Sequence, residues 1–236
     1  MRVLIIIPAY NEAESIEQVI DNLISNYSAY DYVIINDGST DDTQRICESR
    51  GFNILNLPIN LGIGGAVQTG YRYALKNGYD VAVQMDGDGQ HDPKYLDSML
   101  SMIESGEADV IIGSRFIDKE GFQSSASRRA GINILSILAL ILTGVRLHDI
   151  TSGYRMVSRS LIEVYSDDYP SDYPEPEAMV MAAIHGYRIK EAPVIMKERA
   201  GGSSSITLKK SIYYMIKVSM AMIIKRLSLG FRRVKK

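Results

Sequence analysis

The chain has 236 residues and a single cysteine, Cys47. One thiol excludes a disulfide framework and fits a reducing compartment; Cys47 reads as a helix residue without chemistry. Charge of one sign is equally scarce. Lys and Arg number 26 against 28 Asp and Glu, so no global field points to nucleic acid as a partner. The uncharged apolar stretch 132–145 has about 14 residues against the ~20 that a spanning helix needs. The apolar opening from Met1 to Pro8 is too short for a signal peptide and has no small-residue cleavage site, so it is expected to be the first buried strand. Two phosphate-binding signatures are also missing. No Gly-rich loop ends in Lys-Ser or Lys-Thr. Gly62-Ile-Gly64-Gly65-Ala-Val67 lacks the last glycine of the dinucleotide fingerprint and follows the third strand rather than the first. A P-loop NTPase and a Rossmann dehydrogenase are thereby excluded.

What is present is a run of βαβ units. The pattern predicts strands over 3–7, 32–35, 52–57, 81–85 and 109–113, with helices over 12–25, 41–49, 64–76 and 93–105 between them. The strands are near-continuous Val and Ile without polar alternation, which fits a mostly parallel sheet covered on both faces. The second half changes character. A largely apolar helix is expected over 128–145, then a turn-rich return through His148 to Arg155, a short helix over 161–165 and an irregular loop over 169–176. A helix over 177–185, a strand over 188–195, a Gly/Ser loop over 199–205 and a last helix over 208–229 follow. No repeat and no linker interrupts the pattern. One α/β domain over 1–205 is expected, followed by a basic amphipathic helical extension over 206–236.

The strand over 81–85 ends in Asp86-Gly87-Asp88-Gly89-Gln90-His91-Asp92-Pro93. Open α/β sheets bind ligands at the carboxyl ends of their strands. Two hard oxygen donors on a tight turn suit Mg²⁺ or Mn²⁺, ions that usually bind through one or two carboxylates plus substrate phosphates. A solvated Asp/Gly turn with Asp92 as helix cap and Pro93 at the first helical position explains the same residues without a metal. The company of the turn favours the metal. The first strand ends in Pro8-Ala-Tyr10-Asn11-Glu12 and the second in Asn36-Asp37-Gly-Ser39-Thr40-Asp41, placing acids at the same sheet edge. Capping is the expected role of Ser39 and Asp41; Asp37 precedes its helix by several residues and is better suited to accept from a base or from ribose hydroxyls.

With Asn60-Leu-Gly-Ile-Gly64 and Ser152-Gly-Tyr-Arg155, these five motifs occur in the order found in family 2 glycosyltransferases. Within that family the chain most resembles the polyprenyl-phosphate sugar synthases of the dolichyl-phosphate mannose synthase type. The likeness runs from the first strand to about Ser205. It implies a GT-A fold and an inverting transfer of a sugar from a nucleotide diphosphate, a UDP-sugar being favoured, to a polyprenyl phosphate. By the same resemblance Pro8, Tyr10, Glu12 and Asp37 hold the base and ribose, and Asn60, Gly64 and Gly87 line the donor. Asp86, Asp88 and Gln90 would hold Mg²⁺ or Mn²⁺. Arg115 and Arg155, with Arg128 or Arg129 and Ser152, would serve the acceptor side, and Arg199 would close over the diphosphate. Asn36 departs from the aspartate many relatives carry, a tolerable change because an amide still donates and accepts.

A lipid phosphate needs no general base, whereas a saccharide hydroxyl acceptor does; Asp149 and Glu177 are the candidates for that second reading. A third reading, a non-catalytic nucleotide-sugar scaffold, is disfavoured by intact Asp86, Asp88 and Arg199. The apolar 132–145 segment lies between arginines, Arg128 and Arg129 before it and Arg146 after it, which suits either core or a membrane interface. The last helix mixes apolar and basic residues, and the basic stretch that follows it adds to the hint. A peripheral enzyme at the cytoplasmic face of the plasma membrane is expected, its last helix meeting the bilayer, a second subunit or a small integral-membrane partner.

Overall fold

A computed structural model describes residues 1–121, 123, 125–197 and 208–228. Its centre is a seven-stranded sheet in the order β3-β2-β1-β4-β6-β5-β7. In chain order the strands are β1 (Val3–Ala9), β2 (Asp31–Asn36), β3 (Ile54–Asn56), β4 (Val81–Gln84), β5 (Val110–Ser114), β6 (Arg155–Ser158) and β7 (Ile189–Pro193). The helices are α1 (Ile16–Asn26), α2 (Thr43–Ser49), α3 (Gly62–Lys76), α4 (Leu96–Glu104), α5 (Ala126–Thr143), α6 (Arg159–Asp167), α7 (Pro174–Ile184) and α8 (Leu208–Ser228). All strands run parallel except β6, which pairs antiparallel with both β4 and β5. The mostly parallel, doubly covered sheet expected from the Val/Ile runs is observed.

The period-2 geometry of a strand divides β1 between two cores. Leu4 and Ile6 pack with α3, α5, α6 and α7 on one face of the sheet. Val3, Ile5 and Ile7 pack with α1, α2 and α4 on the other. Every residue of β1 is buried, as a central strand with helices on both sides requires. Cys47 lies in the second core, where burial pushes its thiol up to about 11, so it stays protonated and inert.

Two elements differ from the sequence expectation. The stretch after Gly153 is not only a return loop: Arg155–Ser158 forms β6, inserted between β4 and β5 with Gln84 opposite Arg155. Four residues with Arg and Ser at their ends carry too little apolar periodicity to announce a strand. The segment expected to be irregular up to residue 176 enters α7 at Pro174, since proline suits the first helical turn, where its missing N–H is not needed. That helix is buried almost all round. α5 and α8 lie over it and against one another. Val218 and Met222 of α8 join the same core as Leu4, so the last helix is packed onto the domain.

Among the described residues one helix, α5, is long and apolar enough by length and composition to cross a membrane. Its connections argue against a crossing. It leaves from β5 and the chain returns to β6, and these strands are hydrogen-bonded neighbours with Ile112 opposite Arg155. A single span would put the two on opposite sides of a bilayer. α5 therefore lies along the domain, with Ile132, Leu135 and Ala139 buried.

Candidate active site

The parallel strands deliver the loops after β1, β2, β3 and β4 to one edge, and antiparallel β6 begins at that same edge. The loops after β1 and β2 are laced together by Asn11. Its side-chain oxygen accepts from the backbone N–H of Thr40 (2.8 Å) and of Asp41 (3.3 Å), while its own N–H donates to Ser39 Oγ (3.0 Å). Asn11 sits at φ 58°, a left-handed conformation that asparagine tolerates better than most residues. Asp41 accepts from Ala13 N–H and from both the N–H and the hydroxyl of Thr43. Burial opposes its charge, but these hydrogen bonds prevail and hold its carboxyl below the usual range. Asp41 thus combines a bond to the first N–H of α2 with the tie between loops, whereas Ser39 serves the tie alone.

Asp37 is buried, and its Oδ1 accepts from Leu61 N–H at 2.7 Å. Desolvation raises its pKa despite that bond. Gly38 beside it has φ 68°, and a Cβ there would come within 2.9 Å of Asn60 N, so only glycine lets the loops after β2 and β3 meet. Asn60 Oδ1 caps the next turn by accepting from Gly62 N–H at 3.0 Å. Gly64, expected along the donor, is used for packing. A Cβ would lie 2.1 Å from the Pro170 carbonyl, and Gly64 N–H donates to Ser171 O at 3.2 Å. Pro8 is buried as well, whereas the Tyr10 ring is 48% exposed at the rim and open to stacking.

The Asp86/Asp88 turn lies beneath these loops. A Cβ on Gly87 would touch Pro8 O at 3.5 Å and Glu12 Cγ at 3.6 Å, so the turn abuts the loop after β1. Asp86 leaves about a third of its side chain (35%) open to solvent. Asp88 is buried, with Oδ1 accepting from Gln90 N–H. His91 fixes Asp86 from below. Its Nδ1 accepts from the Asp86 N–H at 3.0 Å, so a neutral ring carries its proton on Nε2, which faces Asp86 Oδ2 at 3.8 Å. Tyr154 stacks on the imidazole at 4.9 Å between centroids. Gln84 adds a 3.3 Å bond from Nε2 to Asp86 Oδ1, while its own Oε1 is buried without a partner in the structure. Above the carboxylate passes the start of β6, close enough that a Cβ on Gly153 would lie 3.3 Å from both Asp86 oxygens.

No group of three or more His, Cys, Asp or Glu side chains able to hold an ion occurs among the described residues. Two carboxylates, one open to solvent and one backbone-braced, fit an ion that takes its remaining oxygens from a diphosphate. Gln90, expected beside that ion, uses its amide nitrogen on Lys197 O at 3.2 Å, and Lys197 N–H donates back to Gln90 O at 3.1 Å. Arg199 lies outside the described residues.

The residues expected on the acceptor side are engaged within the domain. Arg115 is buried and makes a bidentate pair with Asp149, Nε to Oδ2 and Nη2 to Oδ1, both at 2.7 Å. Arg115 N–H donates to the same carboxylate at 3.1 Å. Asp149 is 0% exposed, so it is not positioned as a base, and Arg115 does not point an open guanidinium at solvent. Arg155 is equally occupied. Its three guanidinium nitrogens donate to the carbonyls of Ser152 (2.7 Å), Ile150 (2.7 Å) and Glu175 (2.5 Å). With Ser152 Oγ donating to Gly113 O at 2.6 Å, the pair and Arg155 brace the loop between α5 and β6 against β5 and α7. Glu177 lines a separate cleft of about 340 Å³ with Tyr169, Lys217 and Ala221. Burial raises its pKa.

A further carboxyl that feels the charge of Asp86 belongs to Glu175, a residue that falls in the stretch expected to be an irregular loop. Desolvation raises its pKa, Arg155 opposes that, and the charge of Asp86 adds to it. The Pro174-Glu175-Pro176-Glu177 run carries the signal for it, since acids favour a first helical turn headed by proline.

The family model for glycosyl transferase family 2 matches residues 4–166. The chain is 32% identical over 216 residues to an undecaprenyl-phosphate mannosyltransferase of Micrococcus luteus, covering 88% of each chain. It is 30% identical to the UDP-N-acetylglucosamine–dolichyl-phosphate N-acetylglucosaminyltransferase of Methanococcus voltae, covering 81% of this chain and 84% of that one. The chain belongs to glycosyl transferase family 2. Glucosyl-3-phosphoglycerate synthase of Mycobacterium tuberculosis, solved with Mn²⁺, UDP-glucose and phosphoglyceric acid, superposes with a TM-score of 0.73 at 18% identity, covering 98% of this chain and 81% of that one. That likeness establishes the shared GT-A fold.

Proposed function

We propose that the protein transfers a sugar, with inversion, from a nucleotide diphosphate donor to a polyprenyl phosphate, a UDP-sugar being the favoured donor. The observation that carries this reading is the Asp86/Asp88 turn, set at the carboxyl edge of the sheet between the base-side loops and the start of β6. Relatives that act on undecaprenyl phosphate and dolichyl phosphate, similar over more than four-fifths of the chain, support the acceptor class.

The exposed Tyr10 ring stacks on the base. Asp37, braced by Leu61 N–H, is assigned to the base or ribose, beside Glu12, by resemblance to the family. Asp86 and Asp88 would hold Mg²⁺ or Mn²⁺, which would supply positive charge to offset that on a departing diphosphate. His91, Gln84 and the backbone brace at Asp88 fix these carboxylates before the donor arrives, so no reorganisation is needed as charge develops. Arg199 is assigned to the diphosphate by resemblance to its family. A lipid phosphate, with a second pKa of about 6, is mostly a dianion at neutral pH and attacks without a base. Arg128 and Arg129, exposed at the head of α5, are the cations assigned to it by resemblance to the family, while Arg115 and Arg155 donate within the scaffold. A saccharide hydroxyl would need a base, for which Asp149 is locked in its buried pair with Arg115, and Glu175, whose carboxyl feels the charge of Asp86, is the better candidate for that second reading.

Labelled UDP- and GDP-sugars incubated with undecaprenyl phosphate and Mn²⁺ or Mg²⁺ should yield a butanol-extractable product. EDTA should abolish it, and Asp88→Asn should lower its rate by at least roughly 100-fold, the scale of losing a preorganised electrostatic contact. Product formed only on saccharide acceptors, or undiminished in Asp88→Asn, would overturn the assignment.

A further inference from the structure

The inward side of α8 carries one polar head. Tyr214, Met215, Val218 and Met222 pack onto the domain, and of these only Tyr214 bears a hydroxyl, whereas Tyr213 beside it is exposed. The Tyr214 ring stands edge-on to Tyr173, with 4.6 Å between centroids and 88° between planes. Tyr173 is held at φ 49°, a left-handed conformation that a bulky residue keeps only where its surroundings over-determine it. The residues after it, Pro174 and Glu175, open α7. Arg155 fastens that opening to β6 by donating from Nη1 to Glu175 O, and Gly153 just before it on the chain is the residue that passes over the Asp86 carboxylate.

On its other flank α8 meets the opening turns of α5. A Cβ on Gly131 would lie 3.2 Å from Met215 Sδ, and Arg128 lies on the same face of α5 a turn earlier. At Tyr214 and Met215, then, α8 bridges the heads of α5 and α7. The electrostatics of the phenol agree with this placement. Burial raises its pKa, Glu175 adds to the rise, and Arg128 and Arg155 oppose it, so the group keeps its proton and donates. Arg155 directs its own donors at three carbonyls, and burial pushes Glu175 toward its neutral form. A guanidinium with only donors to offer, beside a phenol that stays protonated, suits an anion rich in acceptor oxygens, and a phosphate monoester is one.

We propose that Tyr214 binds the acceptor, its hydroxyl donating to a phosphate oxygen of the polyprenyl phosphate beside Arg128. The proposal rests on the polyprenyl-phosphate reading, and it makes α8, set apart in the sequence as an extension, a part of the catalytic site. Tyr214→Phe removes the hydroxyl and keeps the ring against Tyr173. Initial rates are measured with farnesyl phosphate as acceptor and with UDP-glucose, UDP-N-acetylglucosamine or GDP-mannose as donor, whichever turns over. Tyr213→Phe is the control, and circular dichroism melts check folding.

In Tyr214→Phe the KM for farnesyl phosphate should rise at least roughly tenfold, the scale of one hydrogen bond to a charged group. Donor KM and melting temperature should stay at their wild-type values, and Tyr213→Phe should match wild type throughout. Arg128→Gln and the double variant complete a cycle in which the two losses of acceptor affinity couple, because both groups hold one anion. A folded Tyr214→Phe protein with unchanged acceptor KM overturns the proposal. So does one whose donor KM rises equally, since that marks a general structural role. A wild type that binds UDP in calorimetry yet glycosylates no polyprenyl phosphate sinks the acceptor reading and this proposal with it, whereas active wild type beside an indifferent Tyr214→Phe sinks the Tyr214 assignment alone.

Discussion

The buried pair of Arg115 and Asp149 separates a scaffold from a catalyst. Asp149→Ala leaves the Arg115 guanidinium without its carboxylate in a site from which water is excluded, and strips the acceptor from Arg115 N–H. Breaking a buried pair from one side costs about 3–5 kcal/mol, a large part of the roughly 5–15 kcal/mol that holds a domain folded. Replacing both members, as Arg115→Met/Asp149→Leu, removes the orphaned charge. The double variant is therefore expected to be more stable than either single one, with a coupling of about 0.5–3 kcal/mol in the cycle. Urea unfolding followed by circular dichroism measures this, with an unchanged m-value confirming that the unfolded ensemble is comparable. Turnover of Asp149→Asn under conditions where it is folded should stay within about tenfold of wild type, because a general base contributes more than that. An Asp149→Asn protein with an unaltered unfolding midpoint and abolished turnover would refute the scaffold assignment and restore Asp149 as a base.

Gly64→Ala should destabilise the ligand-free protein by about 1–3 kcal/mol, the scale of overpacking against rigid backbone, here the Pro170 and Ser171 carbonyls; an unchanged melting temperature would return Gly64 to a purely donor-binding role. Glu175→Gln should stabilise the protein near pH 7. The folded-state pKa is raised above its unfolded value, so the native state binds more protons between the two and stability falls as pH rises through that window; the gain over wild type should shrink toward pH 4, and a gain that grows on acidification would contradict it. Asn11→Ala should raise hydrogen exchange at Thr40 and Asp41 N–H and lower stability by about 0.5–1.5 kcal/mol, the net worth of an ordinary hydrogen bond, since the two exposed donors can turn to water; unchanged protection there would show that the two loops are held by something else.

Much of the sheet was legible because its signal is local. Buried parallel strands need Val and Ile runs, and β1, β2, β4 and β5 carry them within a few residues of the expected bounds. β6 was not legible, because its place between β4 and β5 depends on long-range pairing that four residues cannot encode. The acidic strand ends were readable in the same local way. The roles of Arg115, Arg155 and Asp149 were not, since an arginine that will face a phosphate and one that will be consumed by carbonyls look alike in sequence.

The order of motifs and their spacing along the chain determined the family and the sheet edge at which chemistry could occur, because strand direction follows from βα alternation alone. Which carboxylates meet solvent and which are locked in pairs were decided by the tertiary structure. The reason is that burial and pairing arise between residues far apart in the chain, and those contacts set both the charge and the reach of a side chain.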